Sequence, residues 1–554
     1  MTFAATVAAI ALAFPLSANL TVRKFYPDDP IWTYPAPRNV ESAAFRKLSD
    51  YYEFLVYPLA PPGQLNGRKP KGGGKPVYYR ARAVNTLGEV PASTWYENRN
   101  YFHPMSKEQI QAGPGNRKPP SPNGKWSVIA AKNEGVTPGF TIRDEAGHTY
   151  LLKFDPLDHA EMATAADTIG SKLFYALGYF VPENYIVHFH REQLVVDPKA
   201  KLKGPDGKSR GMSSRDVTSI LLKVPRLPDG RYRGSASFYI PGKPLGPHRY
   251  FGTRRDDPND VDPHEHRRDQ RGLWVSCAWL GHDDSRDLNT HDSLVSENGV
   301  QFIRHYLIDF GSTLGSASER PNSPRSGNYL FSWDQVAAQV FTFGLNVPKW
   351  ARAKYPHYPS VGLFEWKTFN PETWRPEYIN PAFHNALPDD TFWAAKQVMA
   401  VTDDQIRWAV DTGEYSDDAA RDWVVECLIQ RRNKIGKAFF AKVLSLDRFR
   451  VDGDTLAFDD LGAKHGFYPA RAYQAAWSAF DNQSGATRPL PDSNGLALPA
   501  AAQSASAGAY FVARLVGDNP EKDIQVTIRR EPSAWKVVGI DRGWEGKSKL
   551  HFAD

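Results

Sequence analysis

The spacing of apolar residues predicts a sheet and a helix in the second quarter of the chain. Residues 140–154, FTIRDEAGHTYLLKF, predict two strands joined by a turn at residues 145–147. Apolar side chains then recur in one helical stripe that ends at Gly178. The stripe contains Met162, Ala165, Ile169, Leu173, Ala176 and Leu177. Two more short strands, at residues 184–189 and 218–224, complete a small predicted sheet that carries one helix.

A second block of elements is predicted downstream. Residues 267–280 predict a helix with Leu273, Cys277 and Leu280 on one side. The segments SLVS and VQFIRHYLID flank Asn298-Gly299, which strongly favours a hairpin turn. Helical patterns in TDDQIRWAV, SDDAARDWVVECLIQRR and NKIGKAFFAKVL follow. The last hundred residues change to the β-like segments AYFVARLV, IQVTIRR and WKVVGI.

These changes of pattern predict an α+β chain with several domains, which 554 residues can accommodate. Pro and Gly punctuate the sequence before residue 125, so we expect an irregular N-terminal strap over residues 21–125. A sheet-based lobe is expected over residues 126–240 and a helical lobe over residues 241–445. A small β-rich domain is expected over residues 446–554.

The amino terminus has features of a secretion signal. Residues 3–14 form an uncharged apolar run that ends in Pro15 and is too short to cross a bilayer comfortably. No Lys or Arg precedes Arg23, so the basic region typical of such signals is missing. We expect a signal peptide over residues 1–20, a periplasmic or secreted protein, and no transmembrane span after cleavage. The alternative is a buried N-terminal helix in a cytoplasmic protein.

Composition excludes several classes of protein. The net charge of +6 is small for this length, so we expect no nucleic-acid partner. Hydrophobic content of 41% and charged content of 23% argue against a disordered chain and a polytopic membrane protein. Two cysteines are too few for a disulfide framework or a cysteine-built zinc site.

Candidate chemistry concentrates in residues 281–311, GHDDSRDLNTHDSLVSENGVQFIRHYLIDFG. Phosphoryl transfer needs Mg²⁺ held by one or two carboxylates, and a carboxylate that orients the acceptor hydroxyl. Asp284 and Asn289 are five residues apart on one loop, so one can face the acceptor and the other a metal. The predicted hairpin can return a second metal ligand, Asp309, to the same place.

This cluster resembles the protein-kinase-like superfamily at two motifs, the catalytic-loop pattern D-x-x-x-x-N and the Asp-Phe-Gly tripeptide at residues 309–311. The resemblance implies a two-lobed kinase-like fold. It implies that Asp284 is the catalytic aspartate and that Arg286 replaces the basic residue two positions later. It also implies that Asn289 and Asp309 bind Mg²⁺ or Mn²⁺.

The catalytic loop has an alternative register, because Asp287 and Asp292 have the same spacing and Asp292 directly precedes a strand. We prefer Asp284 and Asn289 because they supply the residue types of the motif. G-x-G-x-x-G, H-R-D and A-P-E strings are absent. These departures resemble the atypical members of the superfamily, such as the HipA-type, spore-coat-type and phosphatidylinositol kinases.

The same resemblance implies an ATP site on the sheet. Kinases hold the phosphates with a strand lysine paired to a helix glutamate, which indicates Lys153 and Glu161. On the helical wheel Glu161 lies at the edge of the apolar stripe, whereas Asp167 points away from it. The alternatives are a solvated edge-strand lysine and a helix-capping glutamate. Gly139, in the segment GVTPGF, is expected to cover the phosphates with backbone N–H groups.

The leading hypothesis is an atypical phosphotransferase that uses ATP with Mg²⁺ or Mn²⁺, with an unknown protein or small molecule as acceptor. Nucleotidyl transfer would use the same residues. A catalytically inactive kinase-fold scaffold is the alternative, and other segments resemble uncharacterised bacterial exported proteins. His264 and His266 suit a metal hydrolase less well, because their sequence favours a solvated, arginine-paired loop.

Overall fold

The segment before residue 125 forms few regular elements in this computed structural model. The structure describes residues 23–115, 119–132, 138–203, 208–331, 337, 340–342 and 349–553. The predicted signal peptide and residues 135–137 of GVTPGF lie outside the described residues. The elements are a π-helical turn at Tyr52–Val56, strand β1 (Val77–Tyr78) and helix α1 (Lys107–Ala112). Backbone contacts tie the segment to the rest of the chain, among them His305 N–H to Thr94 O at 3.1 Å.

A seven-stranded sheet follows, in the spatial order β5-β8-β4-β3-β2-β6-β7. Its elements are β2 (Trp126–Ala131), β3 (Gly139–Arg143), β4 (Thr149–Lys153), α2 (Met162–Ala176), β5 (Asn184–Phe189), β6 (Leu194–Lys203), β7 (Ser209–Gly211), α3 (Ser214–Leu221) and β8 (Tyr232–Phe238). The predicted β3–β4 hairpin and the helix α2 are confirmed. Alternating side chains of the strands, including Trp126, Phe140 and Leu152, form a fully buried core.

The strand predicted at residues 218–224 is wrong, because α3 occupies most of that segment. Ser213 caps the helix, and Ser213 and Asp216 form a reciprocal capping box. Val217 and Leu221 are four residues apart, so both face the sheet and are buried. The local cap and the four-residue apolar spacing therefore outweigh the strand-like composition of the segment.

The next region places a β-hairpin beside a group of helices. Its elements are β9 (Lys243–Pro244), α4 (Arg268–Leu280), β10 (Thr290–Glu297), β11 (Val300–Leu307), α5 (Pro381–His384), α6 (Pro388–Met399), α7 (Asp403–Asp411) and α8 (Asp418–Phe440). The predicted hairpin is confirmed, with Asn298 at φ 51° and Gly299 at φ 80° in the turn. Two predicted helical segments merge into α8. Cys277, Trp279 and Leu280 of α4 lie in the buried core of this region.

The carboxyl-terminal residues form a five-stranded antiparallel sheet, in the order β15-β14-β16-β17-β18. The elements are β12 (Leu446–Asp452), β13 (Thr455–Asp460), α9 (Leu461–Lys464), β14 (Ala475–Phe480), β15 (Thr487–Asn494), α10 (Ala500–Gln503), β16 (Tyr510–Val516), β17 (Asp523–Arg530), β18 (Trp535–Arg542) and β19 (His551–Phe552). The fold is therefore α+β. Within the described residues, every helix is too short or too polar to cross a bilayer.

Candidate active site

Three charged side chains from three elements meet beside the seven-stranded sheet. Lys153 stands at the end of β4, and its Nζ lies 2.8 Å from Asp309 Oδ1 and 3.4 Å from Asp167 Oδ1. Asp167 belongs to α2, and Asp309 follows β11 in the helical region. The structure thus brings together two of the residues indicated by the sequence, Lys153 and Asp309, and adds Asp167.

The carboxylate that contacts Lys153 differs from the expected one. Glu161 lies one residue before α2 with a left-handed backbone, φ 71°, and it accepts a hydrogen bond from Ser416 N–H at 2.9 Å. Asp167 is buried on the helix and also accepts hydrogen bonds from Ser235 Oγ and Phe310 N–H, at 2.8 and 3.1 Å. The helical wheel predicted the wrong partner for Lys153 because nearly all of α2 is buried. The side of the helix away from the apolar stripe is therefore also inside the protein, and Asp167 on that side faces the cleft.

Asp309 presents an ionised carboxylate at the edge of the cleft. Its backbone is left-handed, with φ 63°, and its side chain is 39% exposed. The next residue, Phe310, is fully buried and stacks on Phe174 of α2, with ring centroids 4.9 Å apart. The positive charge of Lys153 lowers the pKa of Asp309 to about 2. Packing of Phe310 therefore anchors a residue whose charge remains available for a ligand.

The catalytic-loop candidates contact one another directly. Asn289 Nδ2 donates to Asp284 O at 2.7 Å and to Asp284 Oδ2 at 2.9 Å. Arg286 Nε lies 3.2 Å from Asp284 Oδ1. Asn289 O accepts from Ile308 N–H at 3.1 Å, so Asn289 and Asp309 sit at the same end of the β10–β11 hairpin. Burial raises the pKa of Asp284 to about 6, although Arg286 and Asn289 oppose the shift.

The alternative register places its two acids in internal hydrogen bonds. Asp287 Oδ1 accepts from Tyr250 N–H at 2.9 Å, and Asp292 is completely buried. Asp292 Oδ2 pairs with Arg254 Nη1 at 3.0 Å. Asp284 also has partners, in Asn289 and Arg286, but its side chain is 26% exposed, whereas Asp287 and Asp292 are buried. Exposure therefore favours Asp284 as the acid that can reach a ligand.

Asp292 also belongs to the one cluster of three potential metal-ligating side chains found among the described residues. Its Oδ1 lies 3.0 Å from His248 Nδ1 and 2.7 Å from His305 Nδ1. Both imidazoles can donate an N–H to this oxygen, and Arg254 supplies a cation on the other side. Asp292 is therefore the centre of a buried hydrogen-bonded network, in which His248 Nε2 and His305 Nε2 have no hydrogen-bond partner among the described residues.

The solvated loop expected at His264 and His266 is wrong, because both side chains are buried. The two imidazoles bond to different partners. His264 Nε2 lies 2.7 Å from Asp260 Oδ2, whereas His266 Nε2 lies 2.9 Å from Gln64 Oε1. The pair therefore does not converge on a common ligand, which removes the geometric basis for the metal-hydrolase hypothesis.

Sequence reasoning missed a second lysine in the cleft. Lys132 follows β2, and its N–H donates to Gly139 O at 2.9 Å. The pKa of Lys132 is lowered by burial and by the charge of Lys153, and the charges of Asp309 and Asp167 act in the opposite direction. A Cβ on Gly139 would lie 2.4 Å from Leu152 O, so the strand pairing admits only glycine there. The feature of the sequence that could have indicated Lys132 is its position just before the segment that contains Gly139.

Solved kinase structures are similar to part of this chain. A Helicobacter pylori proinflammatory kinase, CtkA, has 13% identity and a TM-score of 0.30, covering 57% of this chain and 98% of that chain. The Golgi casein kinase has 10% identity and a TM-score of 0.29, covering 62% and 83%. Its structure with Mn/ADP bound has 10% identity and a TM-score of 0.26, covering 57% and 72%. No protein-family model and no curated protein matches the sequence.

Proposed function

We propose that this chain is an atypical kinase-like phosphotransferase that uses ATP with Mg²⁺ or Mn²⁺, built on a two-lobed core over residues 126–445. The observation that carries the proposal is the contact of Lys153, from the sheet, with Asp309, from the helical region, at 2.8 Å. Asn289 and Asp284 lie at the same end of the hairpin that delivers Asp309. Phosphate, metal and acceptor groups are thereby presented to one cleft.

The residues present suit a divalent metal. Asp309 is ionised and partly exposed, and Asn289 uses its Nδ2 on Asp284, which leaves the amide oxygen for a ligand. One carboxylate and one amide oxygen match the small number of protein ligands that Mg²⁺ takes beside phosphates. When bound, the metal would neutralise charge on the transferring phosphoryl group.

The sheet side of the cleft suits the nucleotide phosphates. Lys153 pairs with two carboxylates, those of Asp167 and Asp309. These three side chains together carry one excess negative charge. Lys132 adds a second positive charge close to the same acids. With Asp309 as a metal ligand, Lys153 and Lys132 would be the residues that bind the polyphosphate, and Asp167 would remain as their counter-charge.

The acceptor side of the cleft centres on Asp284. Its carboxylate is oriented by Asn289 and Arg286, and its raised pKa makes it a better proton acceptor than an ordinary aspartate. A hydroxyl placed against Asp284 would lose its proton to that carboxylate while its oxygen bonds to the γ-phosphorus of ATP, the bond from that phosphorus to the β–γ bridging oxygen breaks, and ADP leaves. Transfer of a nucleotidyl group would use the same residues and would release pyrophosphate instead of ADP.

Thermal shift with nucleotide and metal tests the proposal. ATP with Mn²⁺ should raise the melting temperature more than either alone, because a ligand of the folded state stabilises it by mass action. Asp309→Asn should abolish the extra shift, and Asp454→Asn, on an exposed turn, is the matched control. Equal shifts for both variants would overturn the metal assignment. Binding without any release of ADP or pyrophosphate would leave a catalytically inactive binding protein, which the missing glycine-rich loop favours.

A further inference from the structure

The N-terminal strap is bonded directly to the catalytic loop. Asp287 N–H donates to Glu53 Oε1 at 2.7 Å, and Tyr57 OH lies 3.4 Å from Asp287 Oδ2. Glu53 and Tyr57 are buried, and Asp287 is three residues from the candidate catalytic residue Asp284. The strap segment 45–59 therefore forms one wall of the acceptor side of the cleft.

A cavity of about 260 Å³ lies at this contact. Its lining contains the buried acids Glu53 and Asp287 and the exposed residues Lys47, Tyr52 and Arg249. Glu53 and Asp287 are buried and hydrogen-bonded to each other through the backbone, whereas Lys47 and Arg249 are exposed. The lining of the cavity therefore combines two exposed cations with two buried acids, of which Glu53 is engaged by Asp287 N–H.

Lys47 and Arg249 are the two cations that line this cavity. Many of the other cations near the cleft are paired, as Arg254 is with Asp292. Lys47 and Arg249 form no ion pair within 4.0 Å with any carboxylate of the described residues. Arg249 lies over the Phe251 ring, at 5.4 Å from its centroid, and its charge acts on Asp287. An anionic group entering the cavity would add a direct ion-pair partner, and partly enclosed cations focus the field that attracts it.

The strap segment that contributes to this cavity also exposes large apolar side chains, one of which, Tyr52, lines the cavity. Segment 45–59 of the strap has six exposed large apolar side chains, those of Phe45, Tyr51, Tyr52, Phe54, Leu55 and Leu59. Clustered large apolar side chains at a surface mark contact with another macromolecule. Aromatic residues are also typical anchors at protein–protein contacts, because they bury much area at a low cost in conformational entropy.

We propose that strap segment 45–59 and Arg249 form a docking site for a polypeptide acceptor, with an acidic side chain of that acceptor in the cavity between Lys47 and Arg249. The inference rests on the proposed function, because the docked chain would pass the catalytic loop at Asp284. The cavity is concave and has room for one side chain, whereas a membrane surface is flat, so a polypeptide suits it better. The exposed aromatic residues pack along the chain on either side of the acidic anchor.

Fluorescence polarisation with a short labelled peptide, containing one Ser between Glu and Ala residues, tests this in the presence of ADP and Mn²⁺. A matched peptide carries Lys in place of Glu. The Glu peptide should bind more tightly than the Lys peptide. The affinity for the Glu peptide should fall as the salt concentration rises. The double variant Lys47→Glu/Arg249→Glu should weaken Glu-peptide binding about tenfold. Arg215→Glu/Lys223→Glu, an equal charge change at exposed positions near α3, should leave it unchanged.

The outcomes separate this inference from the proposed function. Peptide binding that depends on Lys47 and Arg249 without phosphate transfer would support docking and count against the transferase. Transfer to Glu and Lys peptides at equal rates, with equal affinities, would overturn docking and leave the transferase intact. Sedimentation with phosphatidylserine vesicles that is lost in the Lys47→Glu/Arg249→Glu variant, without peptide preference, would show a membrane surface instead and also overturn the inference.

Discussion

Lys153 Nζ and Asp309 Oδ1 lie 2.8 Å apart although 156 positions separate the residues in the sequence. The contact joins β4 of the seven-stranded sheet to the segment after β11, and Asp167 on α2 completes it from a third element. One ammonium group thus contacts two carboxylates at the junction of two parts of the fold. A polyphosphate with a divalent metal would change every one of these pairings, so the site is a sensitive place for substitutions.

Asp167→Asn should lower the affinity for ATP and metal about tenfold or more, because Lys153 would lose the carboxylate that orients it. Glu161→Gln keeps an acceptor for Ser416 N–H and should leave the affinity unchanged. Titration with a fluorescent ATP analogue measures both. A lower affinity in Glu161→Gln, with an unchanged affinity in Asp167→Asn, would show that Glu161 and not Asp167 is the partner of Lys153.

Lys132→Met should weaken nucleotide binding several-fold and reduce its salt dependence, because one of the two cleft lysines is lost. Lys199→Met, an exposed lysine of β6, is the matched control and should bind normally. The same titration at low and high salt provides the measurement. An unchanged salt dependence in Lys132→Met would show that this lysine does not contact the phosphates.

Gly139→Ala should destabilise the fold by about 1–3 kcal/mol, since the added methyl group would lie 2.4 Å from Leu152 O, a backbone atom that cannot move away. Gly211→Ala is the control, because a Cβ there meets no atom within 4 Å. Chemical denaturation of the two variants measures the difference. Equal free energies of unfolding would mean that the β3–β4 pairing relaxes without cost.

Much of the fold followed from local pattern. The Asn298-Gly299 turn, the β3–β4 hairpin and the helices α2 and α4 were predictable because each has a strong signal within its own segment. The strand predicted at 218–224 failed because the helical cap at Ser213 lay outside the segment considered. Cues just beyond an apolar run therefore decide between helix and strand.

Sequence indicated Lys153 from its place on a strand, and the other candidates of the site from one motif-bearing stretch. Asp284, Asn289 and Asp309 lie in one stretch of sequence, and the structure brings them to one end of a hairpin. Asp167 was missed because its direction depends on packing against both the sheet and Phe310, which no helical wheel contains. The contacts of the strap with Asp287 are more remote still, at 230 positions or more, and have no local signal.

The histidine network predicts acid lability of the fold. Burial lowers the pKa of His248 to about 4, and the neighbouring Asp292 only partly offsets that effect. The unfolded chain binds a proton at His248 below about pH 6.5, whereas the folded chain does so only near pH 4. This residue therefore removes stability as the pH falls from about 6.5 to 4, by up to about 3 kcal/mol.

His248→Asn isolates that contribution, because an amide can still donate to Asp292 but has no proton to gain. The free energy of unfolding of the variant, measured by urea denaturation, should fall less between pH 6.5 and 4 than that of the native protein. His264, whose ring lies 6.1 Å from that of His248, has a raised pKa and changes stability in the opposite direction. It is present in both proteins, so its contribution cancels in the comparison. Asp292, whose pKa is lowered, loses its contribution only at lower pH and does not distort this range. Parallel pH profiles would show that His248 titrates normally and that water reaches the network.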